Sequence, residues 1–299
     1  MEPVELKFSR YLNAREGLTD SEKIHYLSLE KGFQGEKMFD SLSASLSNNW
    51  LIINDLMLKY NNTVFQIDTL LISSAKIYLL DIKNYEGDYY IKDDRWYKVP
   101  KKEIRNLIHQ LQRSETLLRS LLQEIGINIP IESFLIFVNP EFYLYEATLD
   151  LPIIFPPQLK GFLKHLNNQP EGYYEKQIKL AKQLVSMHVQ VSPYMRIPEY
   201  SYDQLKKGLF CLGCQSFNIY NLSRNTLICN ECGYKENSTN AVLRGIEEFS
   251  FLFPDKKVTT NVIYEWCQVI HSKKTIHRVL SQNFIQVGKR KHSYYVKEE

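Results

Sequence analysis

The sequence has no stretch of about 18 apolar residues, the least that would span a bilayer as a helix. Its opening segment, Met1 to Glu16, is interrupted by charges throughout and lacks the apolar core of a secretory leader. No glycine-rich P-loop is present, so any nucleotide-driven motor that works with this protein, a helicase for example, must be a partner. Cysteine is scarce, five in 299 residues, and four of the five fall in two Cys-x-x-Cys pairs. That pattern excludes a disulfide scaffold. Together these absences lead to the expectation of a cytoplasmic protein with no membrane contact.

The composition, 44% apolar and 24% charged, is that of an ordinary globular protein, and 299 residues allow two or three domains. The net charge of +3 is unevenly spread. Residues 271–299 hold seven Lys/Arg and two Glu, or +5, which leaves −2 for the rest. The basic tail is a candidate nucleic-acid contact, or a solvated terminus.

Val64 to Gly87 is the most informative stretch. Val64–Ile72 and Ile77–Lys83 read as adjacent strands rich in Val, Ile, Leu and Tyr. Asp68 interrupts the first; Asp81 and Lys83 close the second. Residues i and i+2 of a strand share a face, so Asp81 and Lys83 point one way and Ile82 the other. Unpaired carboxylates in buried strands cost several kcal/mol, by order of magnitude. A compensating cation is expected, and a divalent metal bound through oxygens is the obvious one.

Around this pair the pattern is helix, three strands, helix, strand. The first helix carries Gly35-Glu36 and the spaced apolar residues Phe39, Leu42 and Leu46. Glu36 near its start is also what a helix macrodipole favours. The first strand is Trp50–Leu58, and a hairpin at 87–99 is inserted before the second helix. That helix is expected over 101–125, with an apolar stripe from Ile104 to Ile125. Its Lys101, Lys102, Arg105, Arg113 and Arg119 form a solvated face or line a nucleic-acid cleft. Ser133–Asn139 is the next strand. The expected fold class is α/β (α+β), an αβββαβ core around a mixed sheet. Pro193 and Pro198 mark a domain boundary near 192–205.

That order, with Glu36, Asp68 and Asp81-Ile82-Lys83, resembles the PD-(D/E)xK nuclease superfamily. It is most similar to the branch called the nuclease-related domain (NERD). The resemblance covers roughly residues 30–140 and rests also on Gln66-Ile67-Asp68, Asn84, Gly87, Asn106 and Gln110. It implies a metal-dependent phosphodiesterase acting on DNA. Asp68 and Asp81 would hold Mg²⁺ (or Mn²⁺), with Glu36 as a further ligand. Lys83 would position the attacking water and stabilise charge on the phosphate, and Gln66 and Gln110 would support the metal's surroundings. The sequence departs from the branch in two places: Asp81 stands where Glu is usual, and Thr69 where His is common. A different outcome of the same resemblance is a nuclease fold without turnover, serving as a DNA-binding, regulatory or protein-interaction module.

Cys211-Leu212-Gly213-Cys214 and Cys229-Asn230-Glu231-Cys232 are separated by 14 residues. Two such knuckles supply four thiolates for tetrahedral Zn²⁺ and resemble a zinc ribbon. Beyond them, three helices and a hairpin with a basic tip resemble a winged-helix unit. Lys273, Lys274 and Arg278 would then face a DNA groove, and Lys289, Arg290 and Lys291 the phosphates. Such units also contact other proteins. The expected organisation is a nuclease-like domain at 1–195, a zinc ribbon at 205–238 and a winged-helix-like domain at 241–299.

Overall fold

The computed structural model describes residues 2–46, 50–169, 172–223, 225–270, 272–289 and 293–297. Contacts divide the chain into two units, one of residues 27–195 and one of residues 4–26 with 196–299. Helix α1 (Val4–Ala14) therefore belongs with the C-terminal third. Helix α2 (Asp20–Ser43) is continuous, and Gly32 and Gly35 do not break it. Its start is fixed by a capping box: the Thr19 N–H donates to the Glu22 carboxylate (2.7 Å) and the Thr19 hydroxyl oxygen accepts from the Glu22 N–H (3.4 Å).

In the first unit, β1 (Leu51–Tyr60), β2 (Thr63–Ile72) and β3 (Ile77–Lys83) are consecutive antiparallel neighbours. After β3 the chain turns into β4 (Gly87–Lys92), β5 (Arg95–Lys98) and β6 (Lys102–Ile104), then helix α3 (Leu107–Glu124). Strand β7 (Ile131–Phe137) returns parallel to β3, β8 (Phe142–Tyr145) follows, and β9 (Ile153–Ile154) adds a parallel edge to β7. The main sheet has the order β1-β2-β3-β7-β9, which is the mixed αβββαβ arrangement expected. α3 sits between parallel strands β3 and β7, as a crossover connection requires.

Both faces of the sheet are buried. Leu56, Ile67, Leu79 and Leu135 pack with Leu111, Leu118 and Leu121 of α3. On the other face Leu71, Tyr78, Leu80 and Ile136 meet Phe39 of α2 and Leu159, Leu163 and Leu166 of helix α4 (Leu159–Asn167); Leu180 and Leu184 of helix α5 (Glu175–Ser186) join the core on the α3 side. Each such side chain contributes about 1.5–3 kcal/mol when buried, so the strands that carry the acids are held from both sides.

The helix expected over 101–125 starts later. Asn106 is its N-cap, its side chain accepting from the N–H groups of Ile108 (3.0 Å) and His109 (3.2 Å). Residues 102–104 are instead an edge strand of a second sheet, β6-β5-β4-β8. The expected hairpin is the centre of that sheet. Its Trp96, 1% exposed, fills the core beside Phe137.

The second unit contains a small sheet of β10 (Ile219–Ser223), β11 (Thr226–Cys229) and β12 (Lys235–Asn237). Helices α6 (Ser238–Leu252), α7 (Thr260–Cys267) and α8 (Lys273–Asn283) follow, then strands β13 (Ile285–Val287) and β14 (Tyr294–Val296), paired antiparallel. α7 starts at Thr259, whose hydroxyl accepts from the Val262 N–H. Ser272 precedes α8 without a capping side-chain bond.

A buried ion pair ties α1 to α6. Arg15 and Glu248 are both 0% exposed and joined by two hydrogen bonds of 2.7 Å. The guanidinium carbon lies 3.6 Å from the centre of the Trp266 ring, and Nη1 donates to the Lys206 carbonyl. Arg15→Ala strands a carboxylate in the core, which costs about 3–5 kcal/mol. Urea denaturation should show that loss for the second unit, and Arg15→Met with Glu248→Leu should recover most of it. A double variant no more stable than the single one would contradict this account.

Candidate active site and metal-binding cysteines

The β2–β3 ladder ends at Thr69 opposite Leu80. The next residues outward are Asp68 and Asp81, so the two acids lie where the strands stop pairing. Asp68 takes over the role of a ladder acceptor: its Oδ2 accepts from the Ile82 N–H at 2.7 Å. β3 remains paired with β7 on its other side, Asp81 opposite Leu135 and Lys83 opposite Phe137, so its position does not depend on β2 there. Asp81 is 8% exposed and forms an ion pair with Lys83. Ile82, turned the other way, packs with Phe39 and Leu80. Gln110 of α3 reaches the second Asp81 oxygen, Oδ2, at 3.4 Å.

Glu36 comes from α2, and Gly35 explains how that helix gets so close. A Cβ at Gly35 would lie 2.5 Å from the Asn84 Cβ. Asn84, just past β3, donates to the Lys31 carbonyl of α2 (2.8 Å) and accepts from Asn139 past β7 (3.1 Å). One buried amide thus links the helix of Glu36 to the strands beside it. Gly35→Ala should push the helix outward, cost about 1–3 kcal/mol, and lower activity more than stability predicts. Thermal melts beside an activity assay will show whether both fall; an unperturbed Gly35→Ala protein would refute the close-packing argument.

Charge is concentrated here. Glu36, Asp68, Asp81 and Lys83 line one cavity of about 730 Å³, together with Gln66, Gln110, Tyr85, Arg105 and Arg113. Burial, then the nearby Asp81, raises the Asp68 carboxyl well above the usual range. Burial raises Glu36 to about 7, helped by Asp55 and Asp40. At Lys83 burial works against the charge, but Asp81 and Asp68 outweigh it and its pKa is raised. Gln66 is exposed and donates to Asp55 (3.1 Å), so it reaches the main acids only indirectly. Asp55 itself has φ 53°, a left-handed residue inside β1 at the level of Asp68. Such strain collects at functional sites, and nothing in a run of strand-forming residues announces it.

Do these residues fit a metal? Burial and neighbouring carboxylates raise both Glu36 and Asp68, so negative charge among these acids is poorly compensated even beside Lys83. That is the charge a divalent cation neutralises, and oxygen donors suit Mg²⁺ or Mn²⁺. The carboxylate oxygens of Glu36, Asp68 and Asp81 do not all lie within 4.8 Å of one another, unlike the ligand atoms of the cysteine cluster. The Asp81–Lys83 pair and the Asp68–Ile82 bond each occupy one oxygen.

The cysteines do converge. The sulfurs of Cys211, Cys214, Cys229 and Cys232 lie within 4.8 Å of one another and could hold a metal such as zinc. Cys229 ends β11, and Cys211 Sγ accepts from the Gly213 N–H at 3.3 Å, as a knuckle ligand does. Cys267 is separate from them and fully buried. Of the tail residues singled out, Lys274 and Arg278 are exposed on α8, Lys273 donates to Asn261 (2.8 Å), and Lys289 is exposed after β13. Arg290 and Lys291 lie outside the described residues.

Residues 31–138 match the family model of the nuclease-related domain, NERD. The match contains Glu36, Gln66, Asp68, Asp81, Lys83 and Gln110, and ends before the cysteines and the C-terminal helices. Comparison with curated proteins and with solved structures gives no match.

Proposed function

We propose that this nuclease-related domain is a divalent-metal-dependent deoxyribonuclease. The observation that carries the reading is the gathering of Glu36, Asp68, Asp81 and Lys83, from one helix and two strands, in one cavity. Asp68 and Asp81 would hold Mg²⁺ or Mn²⁺, with Glu36 completing the set. The ion would supply an acidified water and polarise the phosphate. Lys83, anchored on Asp81, is the group that orients the attacking oxygen and offsets charge growing on the phosphate. Gln110 holds Asp81 in place from α3. Lys273, Lys274, Arg278 and Lys289 would add phosphate contacts from the second unit, with the zinc ribbon beside them in sequence.

The test is cleavage of plasmid and linear DNA with Mg²⁺ or Mn²⁺ and its loss with chelator, followed over pH. Glu36, raised to about 7, must release its proton before it can take up a cation. Cleavage should therefore rise as pH passes through about 7. Stability has the opposite sign. Glu36 and Asp68 have folded pKa values above their unfolded ones, so the metal-free protein gains stability on acidification and loses it as pH rises toward 8. Mg²⁺ should restore that loss. Melting temperatures that ignore both pH and Mg²⁺ would argue against a metal at these acids.

A further inference from the structure

Five cations lie between Lys101 and Arg119, yet only Arg105 and Arg113 line the cavity of the acids. Arg119 is turned to Glu115 at 2.6 Å. Lys101 and Lys102 are exposed and away from the cavity. Arg105 and Arg113 are exposed too, and neither guanidinium has an ionic partner among the described residues. They border the pocket of the acids and do not pair with them. The acids therefore stay free for a cation, and the arginines keep their planar donor sets for a second, anionic ligand.

Their placement on either side of Gln110, one before α3 and one on it, says what that ligand is. Gln110 marks the level of Asp81 on the helix. At about 1.5 Å per residue, Arg113 lies about 4.5 Å beyond Gln110 along α3, and Arg105 lies on the other side of Gln110 in the chain, in the link between β6 and the Asn106 cap. Gln110 and Arg113, three apart, share a helix face. A ligand that puts one anionic group at the acids and others on both sides of it is a strand with a phosphate at every residue. We infer that Arg105 and Arg113 hold the backbone phosphates on either side of the one that meets the acids, with α3 running along the nucleic-acid strand. This rests on the nuclease reading for the central phosphate; the flanking grip stands on the free arginines.

The full-length protein is titrated with a fluorescein-labelled DNA duplex, with Ca²⁺ replacing Mg²⁺, over a series of salt concentrations. Arg105→Ala and Arg113→Ala should each weaken binding about tenfold and each flatten the plot of log affinity against log salt by about 0.9. Arg→Lys at each position should restore the slope, which a merely structural role would not do. Lys101→Ala, exposed and outside the cavity, should change neither quantity. Unchanged affinity and slope in the double alanine variant would overturn the inference, as would an equal effect of Lys101→Ala. The two readings fail separately. Cleavage by wild type with unaltered slopes in the variants removes the grip and keeps the nuclease. Flattened slopes with no cleavage by any form of the protein do the reverse.

Discussion

Lys83→Ala is expected to lower Mg²⁺-supported DNA cleavage by about two to three orders of magnitude, the cost of removing one preorganised group that stabilises transition-state charge. The ammonium is held on Asp81, whereas Arg105 and Arg113 are exposed residues of the same lining. Asp68→Asn should be at least as damaging to turnover, but with an opposite signature in stability. An asparagine oxygen can still accept from the Ile82 N–H, and the repulsion from Asp81 disappears. The metal-free variant should therefore melt higher than wild type near neutral pH while cutting nothing, the trade-off expected of an active-site charge. Supercoiled plasmid, read by gel over time, measures the first effect and calorimetry the second. Wild type and both variants cutting alike would end the catalytic assignment.

Removal of metal from the cysteines should have the largest effect on structure. Structural zinc sites in small modules contribute on the order of 10 kcal/mol of apparent binding free energy near neutral pH. The sulfur pairs Cys211–Cys232 and Cys214–Cys229 are each 3.5 Å apart, close enough for four thiolates to repel strongly without a cation. Protein purified without chelators should carry about one zinc per chain. Cys214→Ser, or a strong chelator, should release it and abolish amide protection in β10 and β11. Cutting of short DNA substrates should survive, because Glu36, Asp68, Asp81 and Lys83 belong to the other unit. Metal-free protein with unchanged hydrogen exchange would rule out a structural ion.

Much of the site could be read from the chain because its signals are local. Runs such as Ile77–Ile82 are legible as buried strands, and a period of two puts Asp81 and Lys83 on one face without any coordinates. Four cysteines at knuckle spacing are equally plain. What was missed depends on distant partners. Strand β8 pairs with β4 across the whole of α3, and no local pattern encodes that. Ile104 fits a helical stripe as well as a strand edge, so the sequence pattern starts α3 six residues early, before the Asn106 cap. Gly35 was visible as part of a motif, but its reason is Asn84, which comes from the end of another element. Asp55 looked like one more strand residue until its left-handed backbone appeared. The buried Arg15–Glu248 pair is the extreme case: neither residue has a neighbour in sequence that distinguishes it from a surface charge.

That pair also sets a schedule. Arg15 and Glu248 are 233 residues apart in the chain. At roughly 5–20 residues per second of synthesis, Arg15, just past α1, waits about 10 to 50 seconds for its partner to emerge. The whole of residues 27–195 is made in the interval and can fold while Leu6 and Leu12 of α1, each 0% exposed at the end, still lack their cover. A nascent chain of this protein should therefore carry a sticky amphipathic segment while residues 27–195 are being made. The nuclease-like unit matures before it, and α1 finds its place only once residues near Glu248 have emerged.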